Sequence, residues 1–173
     1  MLNIMDKRYL IMIIIICACC MNLYMIANFS DVVGTASVNV GNYSFSLPEG
    51  FSLYDDGHTE VYIHNPSSKM NIQFYAYLGE NDTFLNKYKE INSSKEYKIL
   101  SNGSIEDNGI IIESVFYQKT DDMNNRSTFY FTKNNHNFRI LINGFNYDTG
   151  KNEVIKIVTD IVESIRINHG KTG

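Results

Sequence analysis

Cysteine is almost missing from this chain, and where it occurs it is confined to one place. The three cysteines, Cys17, Cys19 and Cys20, all lie inside the apolar run at residues 10–21. The rest of the sequence therefore has no disulfide framework, no thiolate metal site and no cysteine nucleophile. A domain of about 130 to 140 residues is long enough to bury a working core without such cross-links.

A positively charged surface is lacking as well. The net charge is −4, and leaving out Asp6, Lys7 and Arg8, which together contribute +1, makes the remainder −5. An acidic domain without a stripe of lysine and arginine argues against nucleic-acid binding. It also offers no attraction to an anionic lipid surface.

Recognisable catalytic motifs do not occur. The sequence has no Gly-x-Ser-x-Gly elbow, no phosphate-binding loop, no dinucleotide fingerprint and no His-Glu-x-x-His. We therefore expect neither an enzyme nor a cofactor. A hydrolase is the third of three functional hypotheses, because it requires a cleft that gathers a nucleophile, a base and an orienting acid.

The single long apolar run indicates where the chain resides. From residue 10 to 27 the only strongly polar side chain is Asn22, and such a segment rises about 27 Å as a helix, close to the hydrocarbon thickness of a bilayer. Lys7 and Arg8 precede it, which favours a cytoplasmic N-terminus. Residues 1–27 are interpreted as a membrane anchor or signal segment, and residues 28–36 as a tether.

Three interpretations of residues 1–27 stay open. The segment is an uncleaved transmembrane signal anchor, a signal peptide cleaved near the Gly-Thr-Ala at residues 34–36, or a lipoprotein signal with Cys19 or Cys20 acylated. All three place the following domain outside the cytoplasm. It is then held at the cell membrane, or secreted if the segment is cleaved.

Residues 37–168 are predicted to form one α+β domain, and residues 169–173 a frayed tail. Gly41 and Asn42 between alternating segments predict a tight hairpin. Apolar and polar residues alternate strictly at 59–64 and 70–76, as in half-buried strands. With further strands at 51–54, 97–105, 109–119, 127–133 and 137–144, joined mostly by short turns, we expect an antiparallel sheet of about six or seven strands.

Two helices interrupt the strands, which indicates an α+β fold and not a parallel βαβ sheet. The mid-chain helix is predicted to start with Asn81 or Asp82 as its cap and to end near residue 92. Its helically spaced apolar residues are Phe84, Leu85, Tyr88 and Ile91. The C-terminal helix is predicted from about Thr149 to Ile165, with an apolar stripe that packs on the sheet.

This layout resembles the PsbP-like superfamily. The resemblance rests on the phrase Tyr-Ser-Phe-Ser-Leu-Pro-Glu-Gly-Phe at residues 43–51, the order of strands and helices, and the ending Val-Glu-Ser-Ile at residues 162–165. The resemblance covers residues 37–168. This part of the chain is similar to PsbP-type and DcrB-type domains of membrane-anchored archaeal or bacterial proteins. It implies a central antiparallel sheet covered by helices and a protein-binding role, and it transfers no functional residue.

One cluster has the residue types of a metal site but not the spacing. His58, Glu60, Tyr62 and His64 share one face of a predicted strand. The two histidines are six residues apart, about 20 Å along a strand, so they cannot hold one ion without a bend. We interpret the cluster as a solvated strand face and expect no metal.

Asparagine-rich turns supply candidate glycosylation sites. The sequence Asn-x-Ser/Thr places such sites at Asn81, Asn92, Asn102 and Asn125, each at a turn or near the end of an element. In an asparagine-rich chain the same pattern also arises because asparagine favours turns. Glycan occupancy is therefore a prediction from the motif alone.

The leading functional hypothesis is a membrane-tethered extracytoplasmic module that binds another protein or the cell envelope. It predicts an exposed aromatic face, for which Tyr62, Tyr75 and Tyr77 are the candidates. The alternative is a small-ligand carrier or sensor. That function requires a deep apolar pocket between sheet and helix.

Overall fold

A computed structural model describes residues 37–56, 59–121 and 124–168. The predicted anchor at 1–27, the tether at 28–36 and the tail at 169–173 lie outside the described residues. Among the helices that are described, none is long and apolar enough to cross a membrane.

The described chain is an α+β domain, as predicted. Each strand follows from a period-two pattern and each helix from a period near 3.6. The elements are β1 (Ser37–Val40), β2 (Tyr43–Ser46), β3 (Ser52–Asp56), β4 (Glu60–His64), β5 (Asn71–Tyr75), α1 (Phe84–Ser93), β6 (Tyr97–Asp107), β7 (Ile110–Lys119), β8 (Asn125–Lys133), β9 (His136–Phe145), α2 (Tyr147–Ser164) and β10 (Arg166–Ile167).

The large sheet has seven antiparallel strands in the order β3-β4-β5-β9-β8-β7-β6. The expectation of six or seven strands is therefore confirmed. The predicted hairpin also forms, but β1 and β2 belong to a separate three-stranded sheet with β10. The hairpin turn needs glycine, because Gly41 has φ +54° and a Cβ there would lie 2.4 Å from the Tyr77 ring.

The main core lies between the inner face of the large sheet and a layer made of the small sheet and α2. Phe74, Phe129 and Ile140 are fully buried on the inner face of the large sheet. The apolar stripe of α2 packs into the same cluster through Val154, Ile157, Val158, Ile161 and Val162. Among the described elements, the opposite, outer face of the large sheet is covered by α1 and by the loop that precedes it.

The mid-chain helix covers only one part of that outer face. Ile91 of α1 is buried against Val115 and Tyr117 of β7. Ten residues of helix rise only about 15 Å, so α1 lies beside β6 and β7 and does not cover β4, β5 and β9. Leu85 was predicted from its spacing to share the apolar side of α1 with Ile91. It is instead 57% exposed and does not lie on the buried side.

Two buried serines on neighbouring strands provide a test of the core. The Ser127 side chain is fully buried and its Oγ has no partner among the described residues. Ser114 is also buried, but its Oγ donates to the carbonyl oxygen of Gly103 at 3.1 Å. The two hydroxyls should therefore contribute with opposite signs to the free energy of unfolding.

We expect Ser127→Ala to leave the free energy of unfolding unchanged or to raise it by up to about 1 kcal/mol. A buried hydroxyl without a partner loses its hydration on folding, and no hydrogen bond offsets that cost. Ser114→Ala should lower the same quantity by about 1 kcal/mol through the lost hydrogen bond. Urea denaturation of both variants measures the difference. The reverse order would mean that the Ser127 hydroxyl is hydrogen-bonded in solution.

Candidate functional site

The candidate functional site is the outer face of the large sheet where α1 does not cover it. Antiparallel register aligns outward-pointing side chains in rows across the strands. The first row contains Glu60, Tyr75, Arg139, Tyr130 and Glu113, the second Tyr62, Gln73, Leu141, Thr128 and Val115, and the third begins with His64, Asn71 and Asn143.

An ion pair in the first row fastens the loop before α1 to the sheet. Arg139 Nη1 lies 2.6 Å from Asp82 Oδ2, and the hydroxyl of Tyr130 donates to Asp82 Oδ1 at 2.9 Å. The Arg139 guanidinium also stacks 4.1 Å above the centre of the Tyr75 ring. Burial raises the pKa of the Tyr130 hydroxyl well above its ordinary value of 10.0.

A cleft of about 440 Å³ opens beside this ion pair. Its lining combines the carboxylates of Asp82 and Glu113 with the rings of Phe84 and Tyr130, whose centres are 6.2 Å apart. Ile111, which is 62% exposed, adds apolar surface to it. The described residues contain no group of three or more side chains suited to hold a metal.

A second cleft of about 440 Å³ lies at the β3 side of the same face. Hydrogen bonds keep its polar side chains in fixed positions. His64 Nδ1 lies 2.8 Å from Asn71 Oδ1, and Asn71 Nδ2 donates to Asn143 Oδ1 at 3.2 Å. The side chains and strand residues that line it are Tyr54, Tyr62, Ile63, His64, Asn71, Ile72, Gln73 and Asn143.

The structure brings two of the three candidate tyrosines together. Tyr62 and Tyr75 point outward on the neighbouring strands β4 and β5, and both are half-buried. The hydroxyl of Tyr75 donates to Gln73 Oε1 at 2.9 Å. The neighbouring Tyr75 hydroxyl is the main reason that the pKa of Tyr62 is raised to about 12, and burial adds to the shift.

Tyr77 lies elsewhere. Its φ is +58°, a left-handed backbone conformation that breaks the alternation after β5. The side chain therefore turns toward the hairpin of the small sheet, where its hydroxyl accepts from the Asn42 backbone N–H at 2.8 Å. Its ring centre is 5.7 Å from that of Tyr43 and 5.5 Å from that of His136.

The histidine and glutamate cluster on β4 stays along the strand. Glu60, Tyr62 and His64 share the outer face, where the Tyr62 hydroxyl donates to Glu60 Oε2 at 3.3 Å. His58 lies outside the described residues. Glu60, Tyr62 and His64 thus each have a hydrogen-bond partner on the large sheet.

The candidate glycosylation sites differ in the access to their side-chain amide. Asn81, Asn92 and Asn102 are exposed, whereas Asn125 is half-buried and its Nδ2 donates to the Phe145 carbonyl oxygen at 3.2 Å. Asn81 lies in the loop between β5 and α1, Asn92 lies in the last turn of α1, and Asn102 lies on the edge strand β6. Their modification stays a prediction.

Two features of this site were not apparent from the sequence. The ion pair joins residues 57 positions apart, and an outward arginine in an alternating strand gives no signal of its own. The helix cap was placed at Asn81 or Asp82, whereas Thr83 is the N-cap and its side chain accepts from the Asn86 N–H. Asp82 is thereby left to pair with Arg139.

The sequence matches no protein-family model and no curated protein. The structure is similar to the cyanobacterial PsbP protein CyanoP from Synechocystis sp. PCC 6803, with a TM-score of 0.52 and 10% identity over 78% of this chain and 93% of that one. The domain has a PsbP-like fold. The predicted resemblance is confirmed at the level of the fold.

Two further solved structures are similar to this chain. A protein from Bacteroides thetaiotaomicron has a TM-score of 0.50 at 13% identity, over 80% of this chain and 50% of that one. LpqN of Mycobacterium tuberculosis, which is involved in cell envelope biogenesis, has a TM-score of 0.47 at 10% identity, over 77% of this chain and 90% of that one.

We expect Asp82→Asn to lower the free energy of unfolding by about 1 kcal/mol, because Arg139 loses its charged partner in a partly buried position. The matched control is Asp160→Asn, which breaks the ion pair with Lys156 on the exposed face of α2 and should change stability little. Thermal or urea unfolding compares the two. Equal effects would contradict a special role for the Asp82 contact.

Tyr75→Phe should lower the pKa of Tyr62 from about 12 toward 10.0, because the neighbouring hydroxyl that contributes most to the shift is removed. Since the folded-state pKa lies above the unfolded one, this group contributes stability that is complete below pH 10 and is lost as the pH rises toward 12. An NMR titration of labelled tyrosine rings measures the shift. Tyr77→Phe is the control and should leave the Tyr62 titration in place.

Proposed function

We propose that this chain is a membrane-tethered extracytoplasmic module that binds a protein of the cell envelope through the open outer face of β4, β5 and β9. One observation carries the proposal. The side chains of Tyr62, Gln73, Tyr75 and Leu141 form a continuous patch, and neither of the two helices in the described part of the chain packs over it. Each of them is half-buried by its neighbours alone.

The composition and order of this face suit a protein interface. Tyrosine and arginine are the residue types that contribute most at interface centres. Here Tyr75 is held by Gln73 and stacks under Arg139, so the rings are already positioned before a partner arrives. Side chains that are ordered beforehand lose less conformational entropy on binding.

Sequence features outside this face support the location. The apolar run at residues 10–27, preceded by Lys7 and Arg8, favours an exported domain that stays near the membrane. Candidate glycans at Asn92 and Asn102 would lie on the α1 and β6 side and leave the β4–β5 side accessible.

A small-ligand carrier or sensor is the second candidate, and the cleft beside Asp82 is the observation that favours it. That cleft has carboxylates and aromatic rings together, which suits a small cation better than an apolar molecule. It lies on the outer face and not between the sheet and α2. A ligand there would occupy a different end of the face from Tyr62.

Site-specific photo-crosslinking of the full chain in its native membranes tests the protein-binding proposal. A crosslinking side chain at Gln73 or Leu141 should give a covalent product of defined mass. The same group at Asn152, on the exposed side of α2, should not. Products that are absent, or identical from all three positions, would contradict the proposed face.

Membrane fractionation of the same samples tests the tether separately. The chain is expected in the membrane fraction at its full-length mass. A soluble product that begins after Ala36 would refute the tether without changing the prediction for the sheet face.

A further inference from the structure

The free edge of β3 lies directly beside the open face. We propose that it binds an extended, basic segment of the partner protein, which adds to the large sheet as a further strand. This inference rests on the proposed function and specifies how the partner docks.

The backbone of β3 is available on one side. Within the described residues β3 pairs with β4 and with no other strand. A strand at the edge of a sheet presents unpaired N–H and C=O groups, which are a template for another strand. The side chains of Ser52, Leu53, Tyr54 and Asp55 are all exposed, and β1, which lies near β3, pairs with β2 and not with β3.

The opposite edge of the large sheet, formed by β6, is less accessible to an added strand. The β6 edge carries charged side chains at Lys98 and Glu106 and has α1 packed beside its first residues. A candidate glycan at Asn102 would obstruct it further. Lysine, proline and covering elements are among the usual protections of sheet edges. β3 contains neither lysine nor proline, and its two charged residues, Asp55 and Asp56, are both acidic, which disfavours an acidic added strand and favours a basic one.

A cleft next to β3 can receive a side chain of the added strand. The register of β3 against β4 shifts between Leu53 and Asp55, which leaves Tyr54 unpaired and 83% exposed. Tyr54 and Tyr62 both line the second cleft of about 440 Å³. In strand addition the backbone supplies affinity, and neighbouring pockets select the side chains.

Acidic side chains near the β3 edge favour a basic segment in the partner protein. Asp55 on β3 and Glu60 on β4 are acidic, and the chain as a whole has a net charge of −4. Lysine or arginine in the added strand would therefore be attracted. Two copies of β3 would bring like charges together, so this edge is poorly suited to pair with a second copy of itself.

The probe is a fluorescent, acetylated peptide of alternating lysine and valine, titrated against the full-length chain in detergent micelles and followed by anisotropy. The double variant Leu53→Ser with Tyr54→Ser should bind it at least about tenfold more weakly. Ile111→Ser, an equally exposed apolar position at the other cleft, should bind as the unaltered chain does. Circular dichroism verifies that each variant is folded.

A charge reversal keeps the test decisive if the double variant is poorly folded. Asp55→Lys should weaken binding of the lysine–valine peptide and allow binding of a glutamate–valine peptide of the same length. Failure of the unaltered chain to bind the lysine–valine peptide would overturn the inference. Equal loss in the Ile111→Ser control would overturn it too.

The outcome is separable from that of the proposed function. If crosslinking from Gln73 persists while the unaltered chain does not bind the peptide, the partner uses the sheet face alone and only the edge inference fails. If the β3 variants lose the peptide as expected but no position crosslinks in membranes, the strand site stands and the proposed function fails.

Discussion

The ion pair between Arg139 and Asp82 determines how much of the large sheet remains open. It fixes the loop that precedes α1 above the middle strands, and Thr83 then caps the helix immediately after it. From that starting point the ten residues of α1 reach β6 and β7, where Ile91 is buried. The helix therefore covers the outer face at β6 and β7, and it does not cover the outer face at β4 and β5.

The parts of the fold that local periodicity encodes were predictable from the sequence. Strict alternation identified β5, and the apolar stripe identified α2. The start of α2 was placed at about Thr149, but the helix begins at Tyr147 because the Asn146 side chain accepts from the N–H groups of residues 148 and 149. β10 has only two residues, too few to show any period, so the small sheet could not be predicted.

The site was only partly predictable, because local periodicity encodes some of its features and not others. Even spacing correctly placed Tyr62 and Tyr75 on the outer faces of their strands, because pleating alternates side chains. The same rule fails for Tyr77, since its left-handed φ redirects the side chain toward Asn42. The Arg139 contact depends on three-dimensional strand order, and a local pattern carries no information about it.

The small sheet also brings the two ends of the described domain close together. Ser37, where the described chain enters, belongs to β1, and Asn168 near the other end donates its N–H to the Asn42 carbonyl oxygen at 2.7 Å. Both ends therefore emerge on the inner side of the large sheet. A partner bound to the outer face, on the opposite side of the large sheet, would therefore be clear of both ends of the described domain.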